Sequence, residues 1–491
     1  MPNHIITCPY CFNKFDDSQV HFRMETVFSE DQLDPQNENR TLSDIEIDNN
    51  INENDRKFLI DTYILREQFM PNEDVQYENF WRDFGGTTEI ASKSKDGQNL
   101  SAVLPYHRAV FDPNNDKHKH FFKDIKVDDN NLTVSATDCF GKETTRRVCP
   151  VCHNPMPGTY GKNPVKFISI VGITNAGKTV YLSQLSKFFN IYTSKVNITA
   201  VPTTTDARNY IKQNIVDMGK PLPMGSPPER LLQPIFFDLI VKKDGELLAD
   251  TVVIYDIAGE NCIDPEKMKK FGKFVEHSDG IMLLIDPSQF DNNDKFTDIA
   301  EPVEVLNTIF NVFSNKNNQK ICNLPIAICI SKGDKIVQDI LGKNLDDAQF
   351  IQDNNNLFLP FFNSDDYNNL QTQLKQFIQL NDNNLRTHLM NLYDNYNYFL
   401  FSAIGTSTEK IEIDGQFFDS PAGPPIPKRI GEPLLWLFHK FGYIKTYGKI
   451  NPPEKEPEPI GWTCVCGQKG NTEKRCLNCN RKENGKRGWF F

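Results

Sequence analysis

The sequence predicts an α/β protein with a mostly parallel sheet, flanked by small metal-binding modules. Three observations carry that prediction. Apolar runs of strand length at 165–171, 251–255, 280–285, 325–330 and 398–401 alternate with amphipathic segments of helical length, the pattern of a sheet covered on both faces. A glycine-rich loop ends the first of these runs and opens a helical segment. Eight of the twelve cysteines stand in four close pairs, a usage that points to metal or catalysis before disulfides.

The chain has 491 residues, enough for about three folded units at roughly 150 residues each. Hydrophobic residues make up 38% and charged residues 24%, so most of the chain folds. No run of about 18 uncharged apolar residues occurs, and residues 1–10 lack the basic and apolar regions of a leader. Membrane spans and secretion are therefore not expected, and a cytoplasmic location is. A net charge of -11 argues against a surface built wholly for nucleic acid, leaving room only for a local basic patch.

Along the chain, residues 29–55 carry nine acids, one base and many Asn, which reads as a solvated, mobile insert. Helical periodicity returns over 57–70, and residues 128–131 separate two alternating runs as a hairpin would. Residues 451–459 (NPPEKEPEP) form a Pro-rich linker to a small C-terminal module. Isolated Cys322 and Cys329 lie in or beside an apolar run and read as buried hydrophobes; Cys139 and Cys262 are the other unpaired cysteines.

The first strand leads into Gly172-Ile-Thr-Asn175-Ala176-Gly177-Lys178-Thr179 and then an amphipathic segment over 180–189. This is the G-x4-G-K-T phosphate loop in a strand-loop-helix setting. Its backbone NH groups cradle a β-phosphate, Lys178 reaches the β and γ oxygens, and the Thr179 hydroxyl is a magnesium ligand. The strand over 251–255 ends at Asp256-Ile-Ala-Gly259-Glu260, where the acid can hold magnesium through water and the glycine can follow a γ-phosphate. Two further strands run into Ser331-Lys332-Gly333-Asp334 and Ser402-Ala403.

With these motifs in order, the chain resembles the Ras-like GTPases of the TRAFAC class, a P-loop NTPase fold. The resemblance implies that Asp334 accepts from the guanine ring NH and amine, that Lys332 lies along the base, and that the Ala403 amide donates to the guanine oxygen. Ser331 stands where the family carries Asn or Thr. The switch threonine of that family lies before the second strand. Here a hairpin is expected from 234–241, a turn at Asp244-Gly245 and 251–255, which favours Ser226, with Thr203, Thr204 and Thr205 as the second choice. Glu260 occupies the position of the water-orienting Gln, which implies slow turnover. Asn175 stands where potassium-dependent relatives help bind a monovalent cation; the other reading is that it only stabilises the loop. The segment 423–438 (GPPIPKRIGEPLLWLF) is similar to the C-terminal signature of the bacterial double-GTPase families of conflict and defence systems, over about residues 160–445.

The pairs Cys8-Pro-Tyr-Cys11 and Cys149-Pro-Val-Cys152 are C-P-x-C knuckles, each offering two thiolates to one zinc. Together they make a zinc ribbon if the insert 12–148 returns its ends together, at a closure cost that grows only logarithmically with length. Separate redox motifs are the alternative. Trp462, Cys464, Cys466, Asn471, Cys476 and Cys479 resemble a Ran-binding-protein type zinc finger with slightly altered spacing. Such fingers bind single-stranded RNA, ubiquitin or protein partners. Seven basic and two acidic residues over 461–491, ending in Trp489-Phe490-Phe491, suit nucleic acid or a docking tail equally.

The expected organisation is a split zinc ribbon over 1–160, a GTPase domain over 161–447, a linker over 448–460 and a finger over 461–491. The expected function is a GTP/GDP switch with Mg2+, two Zn2+ sites, K+ as a candidate activator, and an effector or activating protein as partner. The competing expectation is a zinc-stapled interaction protein that holds nucleotide without turning it over.

Overall fold

Apolar runs that the sequence sets far apart lie side by side in one seven-stranded sheet. The computed structural model describes residues 5–84, 107–129, 131–172, 176–204, 208, 212, 214–223, 233–243, 246–263, 265–290, 301–317, 320–337, 340, 345–348, 350–352 and 360–452. In chain order its N-terminal strands are β1 (Ile5–Thr7), β2 (Lys14–Asp16), β3 (His21–Arg23), β4 (Val110–Phe111), β5 (Phe122–Val127), β6 (Thr133–Asp138), β7 (Glu143–Thr144) and β8 (Arg147–Val148). They form small two- and three-stranded sheets. The large sheet takes β9 (Val165–Gly172), β10 (Ile198–Pro202), β11 (Ile235–Lys243), β12 (Glu246–Ala258), β13 (Gly280–Ile285), β14 (Ile326–Ile330) and, after the short β15 (Phe350–Gln352) and β16 (Pro360–Asn363), β17 (Tyr396–Leu400). Its order is β10-β11-β12-β9-β13-β14-β17.

The five strands from β12 to β17 run parallel, and β10 and β11 add an antiparallel edge. The fold is thus α/β with a mostly parallel sheet, as the sequence predicts. Residues 280–285 and 326–330 are buried throughout, because both faces of the sheet are covered. One face packs Ile168, Ile170, Met282 and Leu284 against the helices Lys178–Ser194 and Glu432–Lys440, where Trp436 is fully buried. The opposite face packs Phe167, Val171, Val253 and Tyr255 against the helices Pro265–Glu276 and Pro302–Asn317 and against the N-terminal unit. The β17 edge is closed by the helix Ser364–Asn381, whose Gln371 side chain bonds both the Tyr398 NH, at 2.9 Å, and its carbonyl. A strand edge whose backbone is satisfied this way cannot recruit another strand.

The N-terminal unit shares one apolar core with that second sheet face. Pairing of β3 with β8 (His21↔Val148, Phe22↔Arg147) returns the chain from its long insert to the start. Arg147, fully buried, locks that return through Asp17 at 2.5 Å and the Tyr160 carbonyl at 2.7 Å. The segment 29–55 departs from the expected mobile insert. Its single base, Arg40, gathers Asp34 (2.9 Å), Glu38 (3.1 Å) and Asp48 (3.1 Å). Thr41 then caps a helix over Leu42–Ile47. A central guanidinium offsets the repulsion that composition alone suggests. The expected helix over 57–70 is observed as Glu53–Glu67, capped by Asn52, and the 128–131 hairpin joins β5 to β6. Further strands β18 (Thr408–Ile413) and β19 (Gln416–Pro421) form a separate hairpin, and β20 (Thr446–Tyr447) pairs with β16. Among the described residues no helix is long and apolar enough to cross a membrane.

Candidate functional site

Parallel strands that end together gather their following loops at one rim of the sheet, and the predicted phosphate loop stands there. Register pairs Gly172 with Ala258, so the residue that opens the loop lies beside the Asp256–Gly259 turn. The Gly259 NH donates to the Gly172 carbonyl at 2.8 Å. Gly172 has no room for a side chain, since a Cβ would lie 2.7 Å from Lys178 Cδ, and Gly177 adopts φ 69°. Those two glycines let the chain turn directly into the helix that starts at Lys178. Lys178 Nζ pairs with Asp256 Oδ1 at 2.8 Å, with both side chains largely shielded. The Asp256 oxygens accept no aligned hydrogen bond among the described residues, which leaves this buried acid able to serve the water shell of a hard cation beside buried Thr179. The donor set fits Mg2+ on that ground.

On the other side of the rim, Lys332 adopts a left-handed backbone at φ 49°, and its Cε lies 3.9 Å from where a Cβ on Gly177 would stand. The stem therefore lies beside Gly177, at the helix end of the phosphate loop. Lys332 Nζ meets Asp286 Oδ2 at 2.5 Å. Burial pushes the Asp286 carboxyl up, and the bonds from Lys332 and Ser288 outweigh it and hold the group below the usual carboxylate range. Exposed Asp334 accepts from the Ser402 hydroxyl at 2.5 Å, and the Ser402 oxygen accepts from the Gly405 NH at 2.9 Å. The Ala403 carbonyl accepts from Gln184 at 3.2 Å. Ser331 is buried, its hydroxyl committed to the Ile285 carbonyl at 3.0 Å. The segment over 423–438 reaches this rim as Lys428 pairs with Ser402.

The structure thus brings Gly172, Ala176, Gly177, Lys178, Thr179, Asp256 and Gly259 to one rim with Lys332, Asp334, Ser402 and Ala403. Thr203 directly follows the edge strand β10, its NH bonded to the Phe236 carbonyl at 3.1 Å. Glu260 begins the short helix Glu260–Ile263. Ser226, Thr205, Asn175 and the whole C-terminal finger, with Cys464, Cys466, Cys476 and Cys479, lie outside the described residues.

The other cysteines form the second constellation. The sulfurs of Cys8, Cys11, Cys149 and Cys152 all lie within 4.8 Å of one another, with Cys8–Cys152 and Cys11–Cys149 at 3.7 Å. Zn–S bonds of about 2.3 Å in a tetrahedron place sulfurs about 3.8 Å apart, so the donor set fits zinc. Both knuckles fold alike. Phe12 NH bonds the Cys8 carbonyl and His153 NH the Cys149 carbonyl, and Phe12 and His153 take φ 59° and 50°. Amide donors reach the sulfurs from Tyr10 (3.4 Å), Val151 (3.4 Å) and Asn13 (3.2 Å). His153 bonds Asp74 at 2.8 Å, away from a ligand role. The left-handed turn sends Phe12 into the sheet face, stacked on His277 at 4.3 Å and edge-on to Phe274 at 5.2 Å. Tyr255, the neighbour of Asp256, donates to the Pro9 carbonyl at 2.7 Å.

Sequence reasoning missed Asp286, Phe12 and Tyr255. Asp286 alone left a trace, as an acid directly after an apolar strand run.

Residues 166–373 match the family model for Double-GTPase 2, a stretch that contains the phosphate loop, Asp256 and Asp334. A stretch of 148 residues is 24% identical to SaeC of Mycolicibacterium smegmatis, described as a proposed ESX-1 scaffolding and assembly protein. That alignment covers 28% of this chain and 38% of SaeC, so the chain spans under two fifths of that relative. Similar solved structures include the GTP-bound GTPase-like domain of S. cerevisiae Ski7 (17% identity, 58% of this chain and 52% of that one, TM-score 0.26). The cytosolic domain of T. maritima FeoB in a GDP form is another (9% identity, 49% and 57%, TM-score 0.19).

Proposed function

We propose that this chain binds GTP and GDP with Mg2+ at the rim formed by the phosphate loop, and that it hydrolyses GTP slowly as a switch. The observation that carries the reading is the joint placement of Lys178 and Asp256 with Lys332, Asp334 and Ser402 on loops of neighbouring strands. Lys178 swings from Asp256 to the β and γ phosphates, and Asp256 turns to the metal's water shell. Magnesium supplies charge neutralisation across the phosphates. Asp334, already oriented by Ser402, accepts from the guanine edge; adenine presents the opposite pattern. Glu260 in place of an uncharged water-orienting residue keeps turnover slow, and Asn175 offers a seat for K+.

Zinc at Cys8, Cys11, Cys149 and Cys152 staples the N-terminal unit, and the four-cysteine finger over 461–491 is the second zinc site and a partner-binding module. The likeness to SaeC supports protein partners in an assembly. Nucleic acid at the finger rests on its resemblance and on the basic and aromatic residues over 461–491, and a role in bacterial conflict systems rests on resemblance.

The test compares affinities for GTP and ATP and follows phosphate release by the wild type and a Lys178→Ala variant. Equal affinity for both nucleotides sinks guanine recognition. Tight GTP binding without Lys178-dependent phosphate release favours the second reading, to which Glu260 points: a zinc-stapled interaction protein with a structural nucleotide.

A further inference from the structure

The Lys332 stem lies beside Gly177 at the helix end of the phosphate loop, and its backbone placement is conformationally costly. A left-handed backbone at a non-glycine residue is disfavoured by about 1 kcal/mol or more, so something must hold it. The holder is visible. Asp286 follows β13, and its two oxygens do separate work. Oδ1 accepts from the Ser288 NH at 3.0 Å and the Ser288 hydroxyl at 2.9 Å, capping the turn Pro287–Gln289. Oδ2 takes the Lys332 ammonium at 2.5 Å. The Asp286 NH is itself fixed by Gln289 at 3.1 Å, and Ser331 ties its own NH and hydroxyl to the Ile285 carbonyl at 2.9 and 3.0 Å. The ends of β13 and β14 are thereby laced together on both sides of the ion pair. Only 7% of the Asp286 side chain is exposed, against 34% for Lys332, so the anchor is shielded while the stem faces the rim.

We propose that Asp286 is a positioning residue of the nucleotide site, holding Lys332 so that its aliphatic stem forms one wall for the purine ring between the phosphate loop and Asp334. This rests on the guanine-nucleotide reading above and names a residue that reading does not use. With the ammonium neutralised by Asp286, the stem presents apolar surface that any purine face can lie against. Base identity stays with Asp334. Loss of the anchor therefore weakens all purine diphosphates by one common factor and leaves their ratio alone.

The experiment measures GDP and inosine diphosphate affinities by titration calorimetry on the full chain. It compares the wild type with Asp286→Asn, Asp286→Ala, Lys332→Ala and the Asp286→Asn/Lys332→Ala double variant. Asparagine keeps an oxygen for the Ser288 cap but turns an amide toward the ammonium. A positioning role therefore gives Asp286→Asn about tenfold weaker binding of both nucleotides, as expected for one charge-assisted contact. The double variant then binds no worse than Lys332→Ala alone. Wild-type affinity in Asp286→Asn, with loss only in Asp286→Ala, reduces Asp286 to a turn cap and overturns the proposal. So does a double variant in which the two losses multiply. If the wild type binds neither nucleotide, the guanine reading itself fails, an outcome distinct from a tight-binding wild type with an indifferent Asp286.

Discussion

The thiolate cluster and the phosphate-loop rim are both built to hold charge, yet they are stabilised in opposite ways. At the cluster, two knuckles converge four sulfurs with no cationic side chain among them, and burial pushes the Cys8 thiol above its ordinary range. Such a set becomes four thiolates only around a metal. At the rim three charges already have protein partners: Lys178 with Asp256, Lys332 with Asp286, Asp334 with the Ser402 hydroxyl. On the zinc reading proposed above, one region depends on its ligand for order, and the other supplies its own. The lesson is that metal loss and nucleotide loss should have unequal structural consequences.

The largest effect should come from Cys149→Ser. With one thiolate gone, zinc content at this site should fall and the N-terminal unit should lose on the order of 3 kcal/mol or more. GDP affinity should stay within a few-fold, because the rim pairs do not involve the cluster; thermal melts, metal analysis and GDP titration on one preparation check this. Loss of nucleotide binding in parallel breaks the contrast between the regions. Next comes Phe12→Ala, which should retain zinc yet cost about 3 kcal/mol, since the ring fills an aromatic box of Phe167, Tyr255, Phe274 and His277. Hydrogen exchange should then rise in the helix Pro265–Glu276, separating docking of the knuckle from metal binding.

The contrast also explains what the sequence made legible. The sheet strands could be read because both faces are covered, so each shows as an unbroken apolar run; the end strand of the sheet was placed two residues late, at 398 rather than Tyr396. The phosphate loop is a contiguous motif, and the cysteine knuckles announce themselves by spacing. The charge pairs of the rim could not be read, because Lys178 meets Asp256 only through the register of β9 with β12. Asp286 carries no motif of its own. The order of residues 29–55 escaped for a related reason: composition counts nine acids but cannot show that Asp34, Glu38 and Asp48 converge on Arg40.

A sharper test of the rim is Lys178→Ala. It removes the ammonium that meets the phosphates, so GTP affinity should fall by about 100-fold. Asp256 is then left buried without its counter-charge, at a cost of about 2 kcal/mol. Added Mg2+ should restore part of that stability in the variant, because the freed carboxylate can take the cation's water shell. Melts with and without Mg2+ measure this, and no response to Mg2+ removes Asp256 as a metal-facing group.

The smallest effect concerns the outermost pair on the rim side, where self-supplied pairing is incomplete. Arg429 bonds Asp366 through one arm at 2.8 and 2.9 Å and Glu432 through the other at 2.9 Å. Glu432 has its second oxygen without a hydrogen-bond partner among the described residues. Burial raises the Glu432 carboxyl to about 7 despite the pull of Arg429. The folded state therefore holds this proton more tightly than the unfolded chain, whose Glu releases it near its ordinary value of about 4.3. The resulting stability is fully present below that unfolded value and is lost as pH rises through about 7. Glu432→Gln keeps a neutral side chain of the same length, so its stability should not decline over that window. The wild type should lose about 1 kcal/mol per pH unit relative to the variant between pH 5 and pH 7, read from denaturant unfolding at fixed zinc. A wild type that instead tracks the variant across that window means that Glu432 is ionised throughout, which makes this pair as fully charge-matched as Lys178 with Asp256.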